Sequence, residues 1–216
     1  ILFIVNLFLL NNIVLASLEI SSTIFEKAKK AIVTIDTRIA VSAYEDTNSW
    51  TGTGFINDKK NGYIITNTHV IGLSAIGTYF VTFYNGEQAE AKLIYYDIWQ
   101  DYAVLKVVSN DIPDSAMEIP FSSESPKLNQ KVFVVGNTEA QGFSFHTGYL
   151  SDLYNIDGMM PQGTYIINLN ITGGASGSPV LNNKIEAIGV LYGGGKTHSL
   201  ALHGDYVIRT LESLKN

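Results

Sequence analysis

Thr51-Gly52-Thr53-Gly54-Phe55-Ile56-Asn57-Asp58-Lys59-Lys60-Asn61-Gly62-Tyr63-Ile64-Ile65-Thr66-Asn67-Thr68-His69 decides the fold class. Thr51 to Ile56 reads as a strand, and Tyr63 to Thr66 as the strand that returns beside it. Between them Asn61-Gly62 offers residues that tolerate the positive φ angles of a tight hairpin turn. Nothing in the stretch has the 3.6-residue period of a helix. The same grammar recurs downstream. Tyr79 to Tyr84, Asn85-Gly86 and Gln88 to Tyr95 form a second predicted hairpin, and Asp101 to Val108 a further strand. Upstream, Ile24 to Ile35 follows the candidate caps Ser21-Ser22-Thr23 and reads as a short helix running into a strand.

Residues 109–130 change character, with Pro113, Pro120 and Pro126 among several Ser and Asn, and read as a linker between two halves. Beyond it lie short strand-like runs at Lys131 to Val135, Phe143 to Leu153, Thr164 to Asn170, Val180-Leu181 and Ile185 to Tyr192. His198 and His203 fall in a Gly-rich, polar stretch after the last of these. Asp205 to Leu214 is amphipathic and fits a closing helix. Many short strands with Asn-Gly turns, and helices only at the two ends, predict an all-β fold. The expected architecture is two six-stranded antiparallel β-barrels, at about 31–110 and 131–203, with short N- and C-terminal helices.

The charge balance, 14 basic against 20 acidic residues, argues against a nucleic-acid partner, which would need clustered positive charge. The absence of cysteine removes disulfides, thiol catalysis and Cys-based zinc sites. The four histidines (His69, His146, His198, His203) have no metal-ligand spacing, so neither a metal nor a cofactor is expected. Residues 1–16, ILFIVNLFLLNNIVLA, are uncharged and interrupted only by Asn6, Asn11 and Asn12. The stretch is short for a bilayer span and reads as the apolar part of a truncated secretory signal, with Val14-Leu15-Ala16 suited to cleavage. That predicts an exported protein, periplasmic or secreted, with no stable membrane insertion once the signal is removed.

Gly173-Gly174-Ala175-Ser176-Gly177-Ser178-Pro179-Val180 suits neither a helix nor a central strand. A serine among glycines can sit in a tight loop whose backbone N–H groups converge beside its hydroxyl. Acyl transfer needs those two things together, a nucleophile and donors for the oxyanion that develops beside it. A base for Ser176 should be a histidine on a rigid element. His69, just past a hairpin strand, meets that requirement better than His146 inside an alternating strand. The carboxylate that orients the imidazole should be fixed. Asp101 opens an apolar strand, and Asp97, four residues earlier, is the alternative. The order His69, Asp101, Ser176 is that of the chymotrypsin type rather than the subtilisin or α/β-hydrolase types.

Thr51 to Ile56, Gly62 to Val70 and Asp101 to Val107 resemble the HtrA/Do-like serine proteases of trypsin fold, as do Val135-Gly136-Asn137 and Thr147 to Ser151. Around Ser176 the chain is also similar to the glutamyl endopeptidases. The resemblance runs from about Ile24 to Leu214 and implies His69 as general base, Asp101 as its orienting acid and Ser176 as nucleophile. It implies an oxyanion hole from the N–H groups of Gly174 and Ser176. It also implies a primary pocket with Ile171 as wall and Asn170 at its base, and a strand edge at Leu191-Tyr192-Gly193 to which a substrate backbone adds. Because neither Glu-binding group nor a basal carboxylate is present, cleavage after small or aliphatic residues of unfolded polypeptides is expected. HtrA relatives are often trimers, which brings a homo-oligomer into consideration. Two departures stand out. Ala175 occupies a position where these families usually carry Asn or Asp, which helps hold the loop, and the length leaves no room for a C-terminal PDZ domain. Both admit an alternative reading, a weakly active or inactive protein of this fold that acts as a holdase for unfolded chains.

Overall fold

A computed structural model of the chain describes residues 15, 18–40, 47–72, 77–137, 142–154, 163–171 and 173–215. Except for Leu15, the expected export signal lies outside the described residues. Residues 18–28 are helical (α1) and pass through a 3-10 turn, Lys29–Ala31, into the first strand.

The first half contains β1 (Ile32–Ala40), β2 (Thr47–Asp58), β3 (Tyr63–Thr66), β4 (Thr78–Phe83), β5 (Gln88–Asp97) and β6 (Tyr102–Lys106). The second contains β7 (Lys131–Asn137), β8 (Phe143–Tyr154), β9 (Thr164–Ile167), β10 (Pro179–Leu181), β11 (Ala187–Gly194) and β12 (Ser199–His203), followed by helix α2 (Gly204–Leu214). Each set closes into an antiparallel barrel, in the orders β1-β2-β3-β6-β5-β4 and β10-β11-β12-β9-β8-β7. The expectation of two six-stranded barrels with terminal helices therefore holds.

The opening hairpin forms as its residues dictate, with β2 and β3 paired through Phe55↔Ile65 and Ile56↔Ile64. Gly62 has φ 72°, and a Cβ there would collide with the Val107 carbonyl oxygen. Only glycine can make that turn against the next strand. The polar stretch around His198 is not all loop. Ser199–His203 is β12, pairing with β11 through Val190↔Leu202 and with β9 through Leu200↔Ile166, and without it the second barrel would stay open. The predicted strand from Thr164 to Asn170 is shorter, ending at Ile167.

The strands' alternation builds three apolar clusters. Val33, Ile35, Ile64, Val81 and Leu105 fill the first barrel, and Val132, Val134, Leu150, Ile167 and Val180 the second. The opposite faces of the same strands meet between the barrels. There Phe55, Ile65 and Val104 pack with Phe133, Val135 and Val190, and with Ile24 and Ala28 of α1 and Val207 and Leu211 of α2. The linker is threaded over this seam, with Ala187 N donating to Pro120 O and Ser122 N to Ala187 O, both at 2.8 Å. Among the described residues no helix is long and apolar enough to cross a membrane.

Candidate active site

His69 stands on a turn that begins where β3 ends. Ile71 N donates to Thr68 O and Gly72 N to His69 O, so residues 68–72 coil into a single helical turn. Two side chains of the first barrel, Thr37 Oγ1 and Trp50 Nε1, both donate to Val70 O at 2.8 Å. The preceding residues are buried and tie the turn to the β5–β6 connection. Asn67 Nδ2 donates to Asp101 O at 2.7 Å, and Thr68 Oγ1 reaches both Asp97 O and Tyr102 O at 2.8 Å.

Asp101 sits immediately before β6 with φ 51°, a left-handed conformation that Asp tolerates better than most residues. Its carboxylate grips His69 at two points. Oδ1 accepts from the His69 backbone N–H at 3.0 Å, and Oδ2 lies 2.7 Å from Nδ1. An ionised carboxylate can only accept, so Nδ1 carries the proton and Nε2 presents its lone pair outward. Asp97, the alternative, is otherwise engaged. Its Oδ1 accepts from Trp99 N at 2.8 Å and Gln100 N at 3.0 Å, closing the turn that delivers Asp101.

Ser176 lies on the loop between β9 and β10, and the first barrel holds that loop. Thr53 N donates to Ser176 O at 3.0 Å, and Thr53 Oγ1 donates to Gly174 O at 2.7 Å. Within the second barrel, Gly177 N donates to Leu191 O and Ser178 N to Ala175 O. Gly177 has φ 88°, and a Cβ there would strike the Thr53 carbonyl oxygen. Thr66 Oγ1 donates to that same oxygen at 2.7 Å, so one short path runs from the serine loop through Thr53 and Thr66 to the His69 turn. Among the described residues, the Ser176 hydroxyl and the N–H groups of Gly174 and Ser176 take part in no hydrogen bond. A bond from the hydroxyl to His69 is thus not formed, and in free enzymes such bonds often tighten only when substrate binds.

Burial raises the pKa of the half-buried Tyr192 hydroxyl, a hydrogen bond with Thr164 at 2.9 Å opposes the shift, and the negative Asp101 adds to it. Tyr192 falls where β11 bulges against β12. Leu191 is buried, and both its backbone groups are used, N–H by Ser178 O and C=O by Gly177 N. The strand edge expected at Leu191-Tyr192-Gly193 is therefore occupied at Leu191, while Gly193 pairs with Leu200 of β12 and has open space where a Cβ would be. Ile171 is buried in the second-barrel cluster, whereas Asn170, expected at a pocket base, is exposed. Ala175 is 2% exposed and shares that cluster with Ile171 and Val180.

Among the described residues, none of the remaining histidines is hydrogen-bonded to His69, Asp101 or Ser176; His198 Nδ1 meets Thr197 Oγ1 at 2.7 Å. His146 pairs with Val134, its Nε2 is buried without a hydrogen-bond partner, and burial lowers its pKa. His203 caps α2 by accepting from Asp205 N at 3.1 Å. Sequence reasoning missed Thr53 and Thr66, because a threonine in a strand carries no signal of which carbonyl its hydroxyl will find.

A family model described as a trypsin-like peptidase domain matches residues 52–190. The chain belongs to that family. The peptidase domain is 29% identical over 209 residues to the pro-apoptotic serine protease nma111 of Aspergillus niger, an alignment covering 88% of this chain and 20% of that protein. Among solved structures, the serine endoprotease from Yersinia pestis matches with a TM-score of 0.74 at 24% identity, over 90% of this chain and 66% of that one. Deg5 matches with a TM-score of 0.72 at 25% identity, over 89% and 92%. The domain spans about a fifth of the length of the curated relatives it matches. The resemblance to HtrA/Do-like proteases stands on these likenesses.

Proposed function

We propose that this peptidase domain is an exported serine endopeptidase that cuts unfolded polypeptides through an acyl-enzyme, after small or aliphatic residues. The observation that carries the reading is the two-point grip of Asp101 on His69, at 3.0 and 2.7 Å. A carboxylate that fixes both the backbone and the ring leaves Nε2 one orientation and one tautomer, which is what a general base for a hydroxyl needs.

The chemistry then assigns the parts. Ser176 Oγ attacks the substrate carbonyl carbon as His69 Nε2 takes the hydroxyl proton. The N–H groups of Gly174 and Ser176 receive the oxyanion. His69 returns the proton to the leaving amine as the C–N bond breaks. Water, deprotonated by the same nitrogen, hydrolyses the ester and frees Ser176. Asp101 stays ionised throughout and stabilises the imidazolium.

Ile171 and Leu191, both largely buried, place apolar rather than charged side chains beside the serine loop, and burying a Val or Leu side chain is worth about 1.5–3 kcal/mol. Tyr192 and Gly193 offer backbone groups to an extended substrate, a mode open to any unfolded chain. The apolar residues 1–16 support export to a periplasmic or extracellular space.

A cleavage map of a denatured proteome by mass spectrometry tests activity and specificity together. The expected result is internal cuts enriched after Val, Ile, Leu and Ala, absent with Ser176→Ala. Cuts after Glu or Lys would overturn the specificity. Binding of unfolded protein with no cuts by either form would favour the holdase reading, which Ala175 motivates.

A further inference from the structure

We propose that Thr53 is a positioning residue for the reaction, a clamp from the first barrel that sets the peptide planes of the nucleophile loop. The inference rests on the peptidase reading above and concerns a residue outside the triad and the oxyanion donors.

Thr53 is fully buried in β2. Its hydroxyl is an oriented relay. Asn137 N, which can only donate, gives it a proton at 3.1 Å, and Gly174 O, which can only accept, receives its proton at 2.7 Å. Both roles of the hydroxyl are thereby fixed. Its own backbone N–H holds Ser176 O, and its carbonyl is backed by Thr66.

Three successive peptide planes are pinned as a result. The plane joining Gly174 to Ala175 is held by Thr53 Oγ1. The plane joining Ala175 to Ser176, which contains the Ser176 N–H, is held by Ser178 N on Ala175 O. The plane joining Ser176 to Gly177 is held at both ends, by Thr53 N and by Leu191 O. Gly174 has φ 88°, and a glycine has little intrinsic resistance to rotation about its backbone bonds. Anchoring its carbonyl therefore fixes the plane that carries the Ala175 N–H and, by blocking rotation about the backbone bonds on either side, limits how the Gly174 N–H before it and the Ser176 N–H after it can turn. The buried methyl of Ala175 can form no hydrogen bond, so the loop is held from the other barrel instead. A loop stapled across the barrels is also sensitive to how the barrels sit, because Thr53 joins β2, the end of β7 and the nucleophile loop at one hydroxyl.

The test compares Thr53→Val, which keeps shape and the backbone N–H but removes the hydroxyl, with Thr53→Ser, which keeps the hydroxyl. The readouts are kcat and KM on a chromogenic peptide ester, the affinity of a peptide boronate that forms a tetrahedral adduct, and circular dichroism. One oxyanion donor is worth about 100- to 1,000-fold in kcat; a misdirected one should cost Thr53→Val roughly 10- to 100-fold. KM should stay near the wild-type value, boronate affinity should fall in parallel with kcat, and Thr53→Ser should recover most of the rate. Wild-type turnover by Thr53→Val overturns the proposal, as does equal loss in Thr53→Ser, or a loss confined to KM. If Thr53→Val does not fold, Thr53→Ala is compared with Thr53→Ser in the same assays. A wild-type protein that neither hydrolyses the ester nor binds the boronate defeats the peptidase reading itself and this inference with it. An active wild type whose rate ignores the hydroxyl defeats this inference alone.

Discussion

At position 101 a single oxygen-for-nitrogen exchange separates orientation from charge. Asp101→Asn keeps the shape of the side chain but replaces an acceptor with an amide that can donate toward His69 Nδ1. The imidazole then settles in the wrong tautomer, and kcat should fall about 10,000-fold, as such replacements do in this arrangement. The near-ultraviolet spectrum should stay unchanged, since Asn67 and Thr68 still hold the turn through backbone carbonyls. Position 175 carries the opposite lesson. From sequence, Ala175 looked like a missing support, and Asn there like a repair. The side chain instead faces the second-barrel core beside Ile171 and Val180, and Ser176 and Gly174 are held by Thr53. Ala175→Asn would bury an amide without a partner among those neighbours, and should lower stability by about 1–3 kcal/mol in urea unfolding with no gain in rate. His69, Asp101 and Ser176 could be named as candidates from sequence because the proposed chemistry needs particular residue types in a particular order. Thr53 could not, because hydrogen bonds between distant carbonyls and hydroxyls follow from tertiary packing alone.

The elements divide along the same line. Hairpins with Asn-Gly turns announce themselves, and β2–β3 and β4–β5 formed where the turn residues put them. β12 did not, because Ser199–His203 is five residues long, follows a Gly-rich run and has only Leu200, Ala201 and Leu202 to mark it. Its pairing is enforced by barrel closure between β9 and β11, not by local preference. The turn between β5 and β6 shows how an element serves the site. Asp97 closes it with two backbone bonds, and β6 is tied to α2 where Tyr102 Oη meets Thr210 Oγ1 at 2.6 Å. Asp97→Ala should therefore act through Asp101. It should lower kcat with little change in KM and speed hydrogen exchange of the Trp99 and Gln100 amides. Tyr102→Phe leaves the apolar packing in place and removes two hydrogen bonds, with Thr210 Oγ1 and Tyr206 O, for a loss of about 1–3 kcal/mol in urea unfolding.

Across the whole molecule, two barrels are welded by a shared apolar seam, and the site lies where loops from both barrels meet. Phe133 stacks on Phe145 with centroids 5.8 Å apart in that seam, and Phe133→Ala should cost about 3–5 kcal/mol. Stability should also depend on pH through two histidines outside the site. Burial lowers the pKa of His146. His203 is lowered as well, chiefly by burial, with Asp205 opposing the shift and Arg209 adding to it. For both, the unfolded chain binds protons more readily than the folded one below the ordinary value of 6.5, so stability rises with pH across that window. It is fully present above pH 6.5 and is lost as pH falls through the folded-state values. A thermal-unfolding series from pH 7.5 to about 5 should show Tm falling, and His146→Gln should flatten the fall.

These loops are expected to make Ser176 a nucleophile. Intact-mass analysis after treatment with a fluorophosphonate tests that expectation most directly, since the reagent captures only a serine activated by its neighbours. One adduct per chain is expected, mapped to Ser176, absent in Ser176→Ala and strongly slowed in His69→Ala. A wild-type chain that folds but gains no adduct, or one whose adduct persists in Ser176→Ala, would contradict it.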